Sequence, residues 1–228
     1  KCLSFELTNA QKRVVLECIA DMQSGKPMSR LVQGDVGSGK TVVAAALCFI
    51  TAKNGYQSAL MAPTEILAEQ HYKTILSLTE KTGIRCALLT GNVKKKEKNA
   101  IKTSLANGDI DVVVGTHALL VDDVEFNNLG LVITDEQHRF GVAQRNALAE
   151  KGVGTDTLVM SATPIPRTLS LIFYGDLDVT VIADKPKARQ EISTSIMPES
   201  KYDDMLSYVE KETRQGKQAY FVCAKIDD

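Results

Sequence analysis

The sequence predicts an α/β fold in which a parallel sheet is covered by helices on both faces. Three observations predict it. Short apolar runs without polar alternation recur between helical stretches, as strands buried on both faces require. A Gly-rich string, Gly34 to Thr41 (G-D-V-G-S-G-K-T), stands between one such run and an Ala-rich helical stretch. Two carboxylates, Asp135 and Glu136, directly follow another run, Leu131, Val132 and Ile133. Parallel sheets bind ligands at the carboxyl ends of their strands, and both motifs fall at such ends.

In chain order, Thr8-Asn9-Ala10-Gln11 reads as a T-x-x-Q capping box at the start of a helix. Arg30, Leu31, Val32 and Gln33 form a short extended run, and Thr41 to Lys53 is a helical stretch closed by Asn54-Gly55. The strand Ser58–Ala62 leads into a helix over Glu65–Lys81 ending at Gly83, and Cys86–Leu89 leads into Lys94–Ala106 ending near Gly108. Asp111–Val114, Leu129–Thr134, Thr157–Ser161 and Val179–Ile182 are further strands. These elements define a first domain over residues 1–183. From Ala183 the chain becomes polar (A-D-K-P-K-A-R-Q-E), with Pro186 and no apolar periodicity, so 184–191 reads as a linker. Beyond it, Ile192–Met197, Lys201–Gln215 and Gln218–Cys223 form a strand–helix–strand unit over 192–228. Such a unit is below the roughly 40 residues that fold unaided and reads as the opening of a second domain. The chain starts at Lys1 and stops just after an apolar run, so it is expected to be a fragment.

With 228 residues, 44% of them hydrophobic, the chain can bury a full core. A net charge of −1 provides no overall basic field, so nucleic-acid binding has to rest on local groups. Five cysteines without C-x-x-C pairing suit a reducing cytoplasm, with Cys48 on an apolar helix as a small hydrophobe. No apolar run approaches the roughly 20 residues of a membrane span, and no secretory leader opens the chain. His71, His117 and His138 lack metal-ligand spacing.

The string Gly34, Asp35, Val36, Gly37, Ser38, Gly39, Lys40 and Thr41 fits the P-loop, in which backbone N–H groups and the positive end of the next helix cradle phosphates. Lys40 is expected to reach the β- and γ-phosphates, and the Thr41 hydroxyl to bind Mg²⁺. Asp135 is the expected second Mg²⁺ partner, and Glu136 can accept a proton from an attacking water, which points to hydrolysis of ATP. A GTPase would need an N-K-x-D guanine reader, absent here, and a small-molecule kinase does not need Glu136. A non-catalytic nucleotide-binding module uses the same cradle and stays open as an alternative.

Five strings carry a resemblance to superfamily 2 helicases, and more narrowly to the RecG family of bacterial branched-DNA helicases. They are the P-loop itself, M-A-P-T-E-I-L-A-E-Q-H (Met61–His71), V-V-G-T-H-A-L-L (Val113–Leu120), D-E-Q-H-R-F-G-V (Asp135–Val142) and M-S-A-T-P-I-P-R-T-L (Met160–Leu169). The transcription-repair coupling translocases are similar, but typically carry Glu at the position of Gln137 and a bulkier residue at that of Ser38. Two departures from the family pattern are Thr134, where an aliphatic residue is usual, and Lys187-Ala188-Arg189 in place of Pro-Gly-Arg.

The resemblance implies two RecA-like lobes, the first complete here and the second begun. They would close on ATP·Mg²⁺ to drive a DNA translocase in recombination and repair. It implies that Phe5 and Gln11 read adenine, although Gln11 is equally available to its capping box. It implies that Gln137 and His138 sense the γ-phosphate, and that Ser161 and Thr163 couple nucleotide state to DNA grip. DNA contact is implied at Pro63 and Thr64, at Thr90 and Gly91, and at Thr116 and His117. Lys94-Lys95-Lys96 is either a further attraction or a solvated helix face. Branched DNA (forks and Holliday junctions), single-strand-binding protein, a monomeric state and a nucleoid-associated bacterial cytoplasm complete what it implies. The arginine that completes the γ-phosphate site and the strand-parting wedge are expected outside the chain, leaving the isolated fragment weakly active or inactive.

Overall fold

The computed structural model describes residues 6–135, 142–163, 177–183 and 193–222. The chain divides into two compact units, 1–187 and 188–228. In the first, a helix α1 (Asn9–Met22) precedes strand β1 (Ser29–Gly34), followed by α2 (Lys40–Lys53), β2 (Gln57–Met61), α3 (Glu65–Thr79), β3 (Cys86–Leu89) and α4 (Lys95–Ala106). Then come β4 (Val112–Gly115), β5 (Leu129–Asp135), α5 (Val142–Ala149), β6 (Asp156–Ser161) and β7 (Asp178–Ile182). Among the described residues, seven strands form one parallel sheet in the order β3-β4-β2-β5-β6-β1-β7.

The unalternating apolar runs have the consequence read from the sequence. Successive residues of a strand point to opposite faces, and here both faces meet apolar cover. Leu60, Val112, Val114, Leu131, Ile133, Leu158 and Met160 pack with Val14 of α1, Val43 and Leu47 of α2 and Ile75 of α3. Their neighbours Ala59, Met61, Val113 and Val132 pack with Leu105 of α4 and Leu148 of α5. Burial pushes the thiols of Cys18 and Cys48 up to about 12, so both act as small hydrophobes in the core.

The helix expected over Glu65–Lys81 ends as an α-helix at Thr79 and tightens into a 3₁₀ turn, Glu80–Thr82, before Gly83 at φ 74°. Thr79 donates its hydroxyl to the Ile75 carbonyl, which competes with continuation of the helix. A 3₁₀ turn over His117–Leu120 was not apparent from the sequence. No helix of the described residues is long and apolar enough to cross a membrane.

The second unit, taken by itself, contains a 3₁₀ turn Glu199–Lys201 and a helix α6 (Tyr202–Arg214), one residue shorter at each end than expected. Its two expected strands are corrected: residues 193–197 and 218–222 are solvent-exposed and carry no ladder. A strand needs a partner for its backbone groups, and none of the described residues of this unit supplies one. The expected linker 184–191 lies outside the described residues.

Thr134, the departure noted in β5, is fully buried between Met61 and Val159 in the sheet register, and its hydroxyl makes no hydrogen bond. An unsatisfied buried hydroxyl costs about 1–3 kcal/mol. Thr134→Val is therefore expected to stabilise the fold by about 1 kcal/mol, raising the thermal midpoint by about 2–4 °C. A lowered midpoint in a calorimetric scan would show that the hydroxyl is used.

Candidate functional site

The carboxyl edge of the sheet has two halves. One, under β5, β6, β1 and β7, carries the Gly-rich loop and Asp135; the other, under β3, β4 and β2, carries the three loops expected to meet DNA.

β1 ends at Gly34, and the chain turns through Gly37 and Gly39, both with left-handed backbones (φ 81° and 86°), into α2 at Lys40. Side chains larger than Gly resist that conformation. Gly39 is the N-cap and no side chain caps it, so the positive end of the helix opens onto the loop. The turn is braced from within. Ser38 N–H donates to the Asp35 carbonyl (3.1 Å), and Asp35 Oδ1 accepts from Val36 N–H (2.8 Å). Lys40 Nζ reaches back over the loop to the carbonyls of Gly34 (2.6 Å) and Asp35 (3.1 Å). Ser38 Oγ is buried with no hydrogen-bond partner, an orphaned polar atom inside the cradle.

Gln11 is buried beneath this turn. Its capping box forms: Thr8 N–H donates to Gln11 Oε1 (3.0 Å), and Gln11 N–H donates to Thr8 Oγ1 (3.3 Å). Its Nε2 donates to the Ser38 carbonyl (2.9 Å), which ties α1 to the loop. Phe5 lies outside the described residues.

Asp135 is the last residue of β5, beside Met160 of β6 and 8% exposed. It meets Thr41 through a third residue. His71 of α3 places Nε2 2.7 Å from Asp135 Oδ2 and Nδ1 3.5 Å from Thr41 Oγ1, so both groups flank one imidazole. Sequence reasoning passed over His71 because no second ligand stands at metal spacing from it. The usable signal was position: Ala68, His71, Ile75 and Thr79 form the buried stripe of α3, and a histidine there departs from the apolar pattern.

Between the two carriers lies β6, whose Ser161 neighbours Gln33 of β1. The Ser161 hydroxyl accepts from Thr163 N–H (3.2 Å) and lies 3.0 Å from Thr163 Oγ1, folding the segment into a tight turn. Glu136, Gln137 and His138 lie outside the described residues.

On the other half, Pro63 and Thr64 follow β2, Thr90 and Gly91 follow β3, and Thr116 and His117 follow β4. Thr64 caps α3 by accepting from Leu67 N–H (3.3 Å). Glu65 joins two of the loops: Asn92 N–H donates to Glu65 Oε1 (3.0 Å), and the Asn92 amide donates to Oε2. The side chains of Thr90 and Thr116 are buried, whereas Gly91 and His117 are exposed. Lys94, Lys95 and Lys96 are exposed at the start of α4. A groove of about 440 Å³ at the opposite, amino end of the sheet, lined by Met22, Pro27, Tyr56, Val153 and Asp156, carries none of the motifs.

The ATP-dependent DNA helicases RecG of Bacillus subtilis (strain 168) and Thermotoga maritima are each 54% identical to this chain over its whole length. The chain spans 33% and 29% of those relatives, about a third of their length. A solved structure of RecG bound to a three-way DNA junction is 52% identical and superposes over 94% of this chain and 29% of its own, with a TM-score of 0.82. A hypothetical ATP-dependent RNA helicase from Sulfolobus tokodaii shares the fold at 20% identity, over 78% of this chain and 54% of its own, with a TM-score of 0.59. The DEAD/DEAH box helicase family matches residues 8–172, well over half of the chain and the stretch that contains β1 to β6. The chain thus belongs to the DEAD/DEAH box helicase family.

Proposed function

We propose that this chain is the nucleotide-hydrolysing part of an ATP-dependent helicase or double-strand DNA translocase acting on branched DNA, forks and Holliday junctions. The observation that carries the reading is the meeting of Thr41 and Asp135 around one imidazole, beside a Gly-rich turn that opens the uncapped start of α2. Storage or simple binding of a phosphate does not call for a buried carboxylate beside the loop.

Thr41 and Asp135 offer a hydroxyl and a carboxylate, the oxygen donors magnesium takes, and would hold Mg²⁺ together with the phosphates. When bound, the ion neutralises charge on the β- and γ-oxygens. Lys40 exchanges its loop carbonyls for phosphate oxygens, and backbone N–H groups around Gly37 to Thr41 receive the rest. Glu136 takes the proton of the attacking water, while Gln137 and His138 sense the γ-phosphate. Gln11 holds the turn through Ser38. Each end of its amide keeps one further hydrogen-bonding position, which suffices for an adenine edge beside Phe5. Ser161 and Thr163, next to both carriers, pass nucleotide state to the DNA half.

There, the burial of Thr90 and Thr116 turns phosphate contact over to backbone N–H groups, to His117 and to the exposed Gly91. Three lysines at the start of α4 oppose the helix dipole, a placement that favours DNA attraction over helix stability. We assign residues 1–183 to a first RecA-like lobe and 192–228 to the beginning of a second. The same reading makes the protein a bacterial cytoplasmic monomer at the nucleoid, with single-strand-binding protein as a further partner.

The test is ATP turnover of the intact protein without DNA, with linear duplex and with a fork of equal length. The fork is expected to stimulate most. Equal rates with and without DNA would overturn the reading.

A further inference from the structure

Nothing in the core of α3 asks for a histidine at position 71. Its neighbours on the buried stripe are Ala68 and Ile75, and an aliphatic side chain would pack there without the desolvation cost of an imidazole. The ring is nevertheless 8% exposed, and its two nitrogens address residues 64 and 30 positions away, on β5 and α2.

We infer that His71 is a positioning residue of the magnesium site: one imidazole orients the Asp135 carboxylate through Nε2 and the Thr41 hydroxyl through Nδ1, so that both present their remaining lone pairs to the same ion. In the neutral ring, the carboxylate acceptor at 2.7 Å fixes the proton on Nε2 and leaves Nδ1 to accept from the Thr41 O–H. Asp135 Oδ2 is thereby engaged, leaving Oδ1 for the ion or one of its waters. Thr41 spends its proton on the ring and turns its oxygen outward. Groups that orient a ligand in this way tune metal affinity without touching the metal. The inference rests on the reading of Thr41 and Asp135 as magnesium residues given above.

The experiment is binding of a fluorescent ATP analogue to the intact protein, titrated with MgCl₂ and repeated in EDTA, for wild type, His71→Leu, His71→Gln and Asp135→Asn. His71→Leu is expected to raise the MgCl₂ midpoint by about 10- to 100-fold while leaving affinity in EDTA unchanged. His71→Gln, whose amide N–H reaches the place of Nε2, is expected to recover most of that shift. An unchanged midpoint in His71→Leu, an equal loss of affinity in EDTA, or a Gln variant as impaired as Leu would each overturn the positioning role. Should the Leu variant not fold, His71→Asn, which cannot reach Asp135, takes its place in the comparison. Asp135→Asn separates the two levels. If it leaves the midpoint unchanged, the magnesium reading itself fails; if it shifts the midpoint and His71→Leu does not, only the role of His71 fails.

Discussion

Lys40→Ala is expected to lower ATP turnover of the intact protein by about 10²–10³-fold, the usual effect of removing one preorganised charge from a transferring or developing anion. It is expected to weaken nucleotide binding as well. The Lys40 amine already sits over the loop, 2.6 Å from the Gly34 carbonyl and 3.1 Å from that of Asp35, so it reaches the phosphates with little reorganisation. Alanine removes the charge and leaves the phosphates to the backbone dipoles at the uncapped start of α2 and to the magnesium ion. Steady-state hydrolysis and analogue binding, measured side by side, check both parts. Turnover within tenfold of wild type would remove Lys40 from the reaction.

Glu136→Gln is expected to separate the two quantities that Lys40→Ala changes together. Glutamine keeps the shape of the side chain and its hydrogen-bonding reach but cannot take a proton from water. Positioned proton transfer contributes about 10²–10⁴-fold, so turnover should fall by that order while analogue affinity stays near that of wild type. Glu136 follows directly on Asp135, whose carboxylate is held by His71 at the end of β5. Undiminished turnover in this variant would mean that another group activates the water.

The sheet was legible because its strands are apolar on both faces. Cys86–Leu89 forms with the bounds read from the sequence, and Leu129–Thr134 and Thr157–Ser161 differ from the structure by a single residue. Their boundaries followed from the switch between an apolar run and the polar residues beside it, such as Arg85 and Thr90 around Cys86–Leu89 and Asn128 and Asp135 around Leu129–Thr134. The start of α1 was legible for another reason, since the Thr8–Gln11 capping box is a local hydrogen-bond exchange that four residues specify. What failed was of longer range. The apolar runs in the second unit look like strands, but a run becomes a strand only when another chain segment pairs with it, and local composition carries no record of that partner.

The places of the Gly-rich turn before α2 and of Asp135 at the end of β5 were likewise readable, because each follows directly on an apolar run that forms a strand. Their link was not. His71 stands 30 residues after Thr41 and 64 before Asp135, separations set by the order in which β2, α3 and β5 join the sheet. The double duty of Gln11 was hidden in the same way. Its capping box is local, but its bond to Ser38 depends on how α1 lies beneath the turn.

The most direct measurement is a structure of the intact protein with a non-hydrolysable ATP analogue and Mg²⁺. Thr41 Oγ1 is expected about 2.0–2.1 Å from the ion, with Asp135 contacting it directly or through one of its waters. An ion held by other residues, with Asp135 turned away from the Gly-rich turn, would contradict the account.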